Sequence, residues 1–325
     1  MKRLLNYLFV TVKGICMGAA DVIPGVSGGT IAFMTGIYEE LVGSINSINS
    51  TAVKLLFTGR FKEFWRHING NFLLSLIAGI VISILSLARL MTYLLINHPV
   101  QTWAFFFGLI IASSIFILKG IGDWKVKDTA MLIFGIILGA TVCTLSPTKT
   151  PDGLWFIFIS GAIAICAMIL PGISGSFILL ILGKYQYILG TINKITSGDG
   201  VLMDYTVILV FVIGAVAGIL AFSRFLHWLL DNYHRPTLLV LAGFIIGSLV
   251  KVWPWSDMTA VAASQFPELA AAAELPGFVW EDVREMYIGL VDYHIPGAIC
   301  FALAGFLLVT VIESVSTYIS KRKSA

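Results

Sequence analysis

Apolar runs long enough to cross a bilayer alternate with short polar joints along nearly the whole chain. Unbroken runs lie at residues 72–96, 100–118, 129–146, 205–230, 236–252 and 295–319. Each is close to the roughly 20 residues that span the hydrocarbon core as a helix. Two further runs, at 13–48 and 153–195, are interrupted midway by Pro24-Gly25 and Pro171-Gly172. Proline has no amide donor and glycine tolerates unusual dihedrals, so the pair ends one helix; the following Ser27 or Ser174 then suits the N-cap of the next. A transmembrane barrel would need alternating segments of about ten residues instead. The pattern predicts an all-α polytopic membrane protein.

The two interruptions belong to an internal repeat. The second Pro-Gly follows the first by 147 residues (24 to 171), and at that offset Ser27, Gly28, Ile31, Gly36, Tyr38, Gly43 and Asn46 recur identically. Farther on the offset is 135, where Gly79, Arg89 and Gly108 match Gly214, Arg224 and Gly243. The division predicted is residues 1–147 and 148–325, each a broken hairpin followed by three spans. A broken hairpin adds an even number of crossings and the three spans an odd number, so the second repeat enters the membrane upside down. Inverted repeats with discontinuous helices are a transporter architecture.

Charge agrees with that topology. With the N-terminus inside, the inner segments hold fourteen Lys and Arg, among them Lys13, Lys54, Lys125 and Arg235. The outer segments hold five: Lys149, Lys184, Lys194, Lys251 and Arg284. This is the positive-inside bias, and it puts both termini in the cytoplasm. The longest outer loop, 254–294, is mainly acidic and is expected to form short surface helices.

Composition adds the class. Hydrophobic residues make up 58% of the 325, charged residues 12%, and mean hydropathy is +0.93; a soluble domain carries about 25% charged residues. The basic, apolar start resembles a signal peptide, but Lys13 interrupts it and the repeat begins there, so it reads as part of the protein. Cys16, Cys143, Cys166 and Cys300 form no CxxC pair and the five histidines show no HExxH spacing, which argues against a metal centre. "GVSGGT" lacks the Lys of a P-loop, so ATP on this chain does not drive it. No cofactor and no nucleic-acid partner are expected; the partners are lipids of the membrane.

The breaks carry the candidate chemistry. Non-helical backbone at membrane depth is tolerated where it is buried in protein or lines a wet cavity. Each break presents the amides of a helix start, from Ser27, Gly28, Gly29 and Thr30 or from Ser174, Gly175 and Ser176, and such amides suit an anion. The same glycines also suit close helix packing. Arg89 and Arg224, each inside an apolar span, either serve the substrate or snorkel to an interface. These residues describe a site for a phosphate monoester. Asp21, just before the first break, has no acidic counterpart in repeat two, where Met168 aligns. It is the first candidate for coupling to a proton or sodium ion, with Glu39 and Glu40 behind it.

At "MGAADVIPGVSGGTIAF", "TGIYEELVGSI" and "ILPGISGSFILLILGKYQYIL" the chain resembles the polyprenyl-phosphate transporter family, long known only as a membrane domain of unknown function. The resemblance runs through both repeats. It implies an inner-membrane translocase that returns undecaprenyl phosphate from the outer to the cytoplasmic leaflet for envelope polymer synthesis. Alternatives are a small-anion secondary transporter and an undecaprenyl-diphosphate phosphatase or transferase. The phosphatases carry a PGxSRSG-like motif; here Gly28 and Gly175 replace its arginine, removing a stabiliser of transition-state charge. A mover rather than an enzyme is expected.

Overall fold

The computed structural model describes residues 2–21, 27–145, 150–266, 268–269 and 290–324; at 2–5, 87–89, 92 and 312–324 only the backbone is described. The described residues contain helices and no strand. Three helices make the first interrupted segment: α1 (Lys2–Asp21), α2 (Gly28–Met34) and α3 (Tyr38–Asn46). Two short helices, α4 (Ser50–Phe57) and α5 (Phe61–His67), lead to the long α6 (Gly70–Asn97), α7 (Pro99–Gly120) and α8 (Val126–Thr144). The second interrupted segment is α9 (Leu154–Ile169), α10 (Gly175–Ile181) and α11 (Tyr185–Ser197), and it precedes α12 (Leu202–Asn232) and α13 (His234–Val252). The short helix α14 (Met258–Gln265) is followed by α15 (Ile295–Ser324).

The six predicted unbroken spans fall on α6, α7, α8, α12, α13 and α15, with ends displaced by at most about a turn and a half. Helices α7, α8, α12 and α13 are long and apolar enough to cross a membrane, and the count rises from 4 to 6 if the bent pairs α5/α6 and α10/α11 are one span each. The chain is a multi-pass membrane protein. Of the predicted surface helices in the loop 254–294, α14 is described; residues 270–289 lie outside the described residues.

Local structure follows the repeat closely. The bounds of α2, moved by 147, are those of α10. Each short helix is followed by a glycine in the left-handed region, Gly36 at φ 70° and Gly183 at φ 63°. A side chain with Cβ would be strained there, so these glycines fix the turn between the second and third helix of each segment.

A second recurrent device sets the packing. A Cβ on Gly14 would strike the carbonyl of Leu76, and one on Gly79 the carbonyl of Thr11, so α1 and α6 touch backbone to backbone. The equivalent Gly161 and Gly214 do the same between α9 and α12, against the carbonyls of Phe211 and Phe158. Gly135 and Gly139 of α8 meet α13 at Val240 and Phe244, and Gly243 and Gly247 of α13 meet α8 at Leu132 and Ile136. Gly108 of α7 and Gly305 of α15 form the fourth such contact, at Ala302 and Phe105. Small residues allow this approach where burial in lipid supplies no hydrophobic force between helices. In α8 and α13 the contacts advance together along both helices, so the two run parallel, and Arg235 pairs with Asp128 at 2.6 Å near their starts.

The helices form two compact units, residues 1–86 with 124–247 and residues 87–123 with 248–325. This division cuts across the sequence repeat. The first unit holds both interrupted segments, and its α12 carries one at each end. A Cβ on Gly43 of α3 would lie 3.9 Å from the His227 ring, whereas Ile188 of α11 packs with Ile157 and Val207. Those positions are 20 residues apart on α12 (207 to 227), about 30 Å at 1.5 Å per residue.

Candidate functional site

The start of α2 meets the second break inside the first unit. Ser27, fully buried, donates its hydroxyl toward the carbonyls of Met168 (3.2 Å) and Leu170 (3.3 Å) at the end of α9. In return Gly172 donates its amide to Thr30 Oγ1 at 2.7 Å. A Cβ on Gly29 would lie 2.6 Å from the carbonyl oxygen of Ile169, which explains glycine at that position. Pro24 and Gly25 themselves lie outside the described residues.

The helix starts, equivalent in sequence, are used differently. In the first, Gly28 N–H donates to Asp21 Oδ1 at 2.7 Å, Gly29 N–H to Ser27 Oγ at 3.0 Å and Thr30 N–H to the Ser27 carbonyl at 2.9 Å. The amides of α2 are therefore answered from within the protein. In the second, Ser174 Oγ accepts from Phe177 N–H at 3.2 Å and lies 3.1 Å from Ser176 Oγ. Ser174, Gly175 and Ser176 line a cavity of about 280 Å³ together with Asp21. Its other walls are small or apolar: Gly161, Ala164, Ile165 and Met168 of α9, Leu179 of α10, and Phe211 and Ala215 of α12.

The expected symmetrical pair of open helix starts is thus one closed start and one that opens on a cavity. The acid that sequence comparison left without a counterpart is what closes the first. Wall positions such as Ala164, Phe211 and Ala215 gave no chemical signal in the sequence; the repeated Gly161 and Gly214 mark the tight helix pair that carries them.

The remaining candidates lie apart from the cavity. Glu39 is exposed, with Oε1 2.8 Å from His234 Nε2, and Glu40 accepts from Asn69 Nδ2 at 2.9 Å. Arg224 is exposed on α12, nine residues beyond Ala215 and so about 13 Å farther along the helix. The Arg89 side chain lies outside the description. Lysines counted as loop charges turn out to be structural. Lys13 donates to the Thr35 carbonyl at 2.6 Å, at the negative end of α2. Lys184, 1% exposed, donates to the Thr150 carbonyl at 3.0 Å and pairs with Asp152.

Interrupted helices that pack together beside a partly polar cavity in a multi-pass helical protein point to the class of membrane transporters. Comparison with known proteins narrows the class. A family model described as undecaprenyl phosphate translocase-like matches residues 17–269. A polyprenyl-phosphate transporter of Vibrio cholerae is 46% identical over 255 residues, which cover 78% of this chain and 80% of the relative. A polyprenyl-phosphate transporter of Staphylococcus aureus is 33% identical over 256 residues, 75% of this chain and 85% of the relative. No solved structure matches significantly. The chain belongs to the undecaprenyl phosphate translocase-like family, and its role is a transporter's rather than an enzyme's.

Proposed function

We propose that the protein carries a polyprenyl phosphate, undecaprenyl phosphate in a bacterial envelope, from the outer to the cytoplasmic leaflet of the inner membrane. The observation that carries this reading is the cavity beside the second break, with the Ser174 and Ser176 hydroxyls and the Asp21 carboxyl on its wall and small or apolar residues around them. A phosphate monoester needs donors for its oxygens, and its isoprenoid chain needs an apolar path. The names of the two relatives support the same substrate.

The inverted arrangement is part of the proposal. It is supported by the positive-inside charge bias and by the two interrupted segments lying at opposite ends of α12. An inverted pair gives a transporter two related conformations, one open to each side. In this scheme Arg89 receives the headgroup near the outer face and Arg224 contacts it on release near the inner face. Inward movement is coupled to an ion gradient. Asp21 carries the coupling because it lines the cavity, whereas Glu39 and Glu40 are tied to His234 and Asn69.

The test is transport by purified protein in liposomes, read as loss of a labelled polyprenyl phosphate from attack by an external phosphatase. Ser176→Leu fills the cavity yet leaves the capping hydroxyl of Ser174 in place. It should slow transport at least about tenfold, the effect of about 1.4 kcal/mol. Wild-type transport in that variant would place the substrate elsewhere. Movement of inorganic phosphate without lipid movement would favour a small-anion carrier.

A further inference from the structure

Asp21 is the acid on the cavity wall, and among the described residues no basic side chain lines that cavity. Its Oδ1 is fixed by Gly28 N–H, while Oδ2 has no hydrogen-bond partner among the described residues. A Cβ on Gly28 would lie 2.5 Å from Oδ2, so glycine there leaves room for the carboxyl group. The nearby elements offer little to neutralise it. On α1 the other titratable groups are Lys2, Arg3, Tyr7, Lys13 and Cys16. The first three lie fourteen or more residues, about 21 Å or more, before Asp21, and the Lys13 ammonium donates to the Thr35 carbonyl. Helices α2 and α10 and the part of α6 at 70–86 have none, α9 has Cys166, and α12 faces the cavity with Phe211 and Ala215.

A phosphate entering this cavity would meet a carboxylate of the same sign with mostly apolar side chains around it. Two such groups sharing a site do not both stay ionised. A sodium ion would relieve the conflict only with several oxygen ligands. Here Ser174 and Ser176 hydroxyls face each other and one already accepts from Phe177 N–H. A proton needs only Oδ2.

We propose that Asp21 takes a proton on Oδ2 as the lipid phosphate enters the cavity, donates it as a hydrogen bond to a phosphate oxygen, and so carries one proton inward with each lipid. The proton comes from the outer solution. It leaves Oδ2 for the cytoplasm when the phosphate departs, and no covalent bond to phosphorus forms or breaks. This rests on the reading that the cavity holds the phosphate, and goes beyond it by naming the coupled ion, the atom that bears it and the stoichiometry.

Asp21→Asn tests it, because Asn Oδ1 can still accept from Gly28 while the side chain carries no ionisable proton. A short-chain polyprenyl phosphate such as farnesyl phosphate is titrated calorimetrically into the full-length protein in detergent. Measurements at about pH 8, where the ester is mostly dianionic, in two buffers of different ionisation heat give the protons taken up on binding. Wild type should take up about one proton per lipid more than Asp21→Asn. Its affinity should also fall about tenfold per pH unit more steeply on the alkaline side, the linkage expected for one extra bound proton. Equal proton uptake by the two proteins would overturn the proposal and leave the cavity as the binding site. Absence of binding to both, with each protein folded by circular dichroism, would overturn the site reading and this inference with it.

Discussion

Two serines that look interchangeable in the sequence have unequal duties. Ser27 Oγ is fully buried, caps α2 through Gly29 and ties the first break to the end of α9. Ser174 Oγ caps α10, but Ser176 Oγ stands 3.1 Å away and can replace part of its hydrogen bonding. Losing a cap costs about 0.5–2 kcal/mol, and leaving a buried donor unpaired about 1–3 kcal/mol. Ser27→Ala should therefore lower the thermal midpoint of the purified protein clearly more than Ser174→Ala. An equal or reversed order, measured in one detergent, would mean that the link between breaks carries no stability. Arginine roles belong to the same scale. Because Arg224 stands about 13 Å along α12 from Ala215, Arg224→Ala should spare capture of the lipid from outside and impair its delivery. Arg89→Ala should do the opposite. Lysine should restore each only in part, since an ammonium lacks the bidentate fork. Leaflet-resolved transport assays on the single variants separate these outcomes from a common defect.

At the scale of elements, the glycine contacts decide which helices can approach. Gly214 presses on the Phe158 carbonyl and so holds α12 against α9, the helix pair that supplies Phe211, Ala215 and Ala164 to the cavity. Gly214→Ala should push the pair apart and lower both folding yield and transport. Gly190, in α11, has nothing within 4 Å of a Cβ position. Gly190→Ala should be neutral or raise stability by up to about 1 kcal/mol, the helix propensity difference. The comparison is made by yield of monodisperse protein after solubilisation. If Gly214→Ala matched Gly190→Ala, the backbone contact between α9 and α12 would not be limiting.

For the whole molecule, the proposed topology makes a simple statement about accessibility. The end of α12 near Asp231 should face the cytoplasm and the turn at Asp199 the outside, since the two interrupted segments enter from opposite faces. In a background without Cys16, Cys143, Cys166 and Cys300, Asp199→Cys should react with an impermeant thiol reagent on intact cells. Asp231→Cys should react only after permeabilisation. Labelling of both from one side would exclude the inverted arrangement.

The sequence alone determined the helical class, the approximate extent of the long helices, the internal duplication and where Pro-Gly interrupts it. These are local properties: apolar length fixes a span, Pro-Gly ends a helix wherever it stands, and repetition is visible by alignment of the chain with itself. The tertiary structure alone decided how the two helix starts are hydrogen-bonded and which of them lines a cavity. Whether a first-turn amide is open depends on which group from another segment reaches it, and Asp21 reaches Gly28 across the first break. The cavity is likewise built from α1, α9, α10 and α12, elements distant in the chain, and most of its wall is apolar. Apolar side chains look alike in a membrane sequence whether they face lipid, a neighbouring helix or a cavity. Only the packing of the helices tells these apart, because it alone determines which neighbours remove each side chain from lipid.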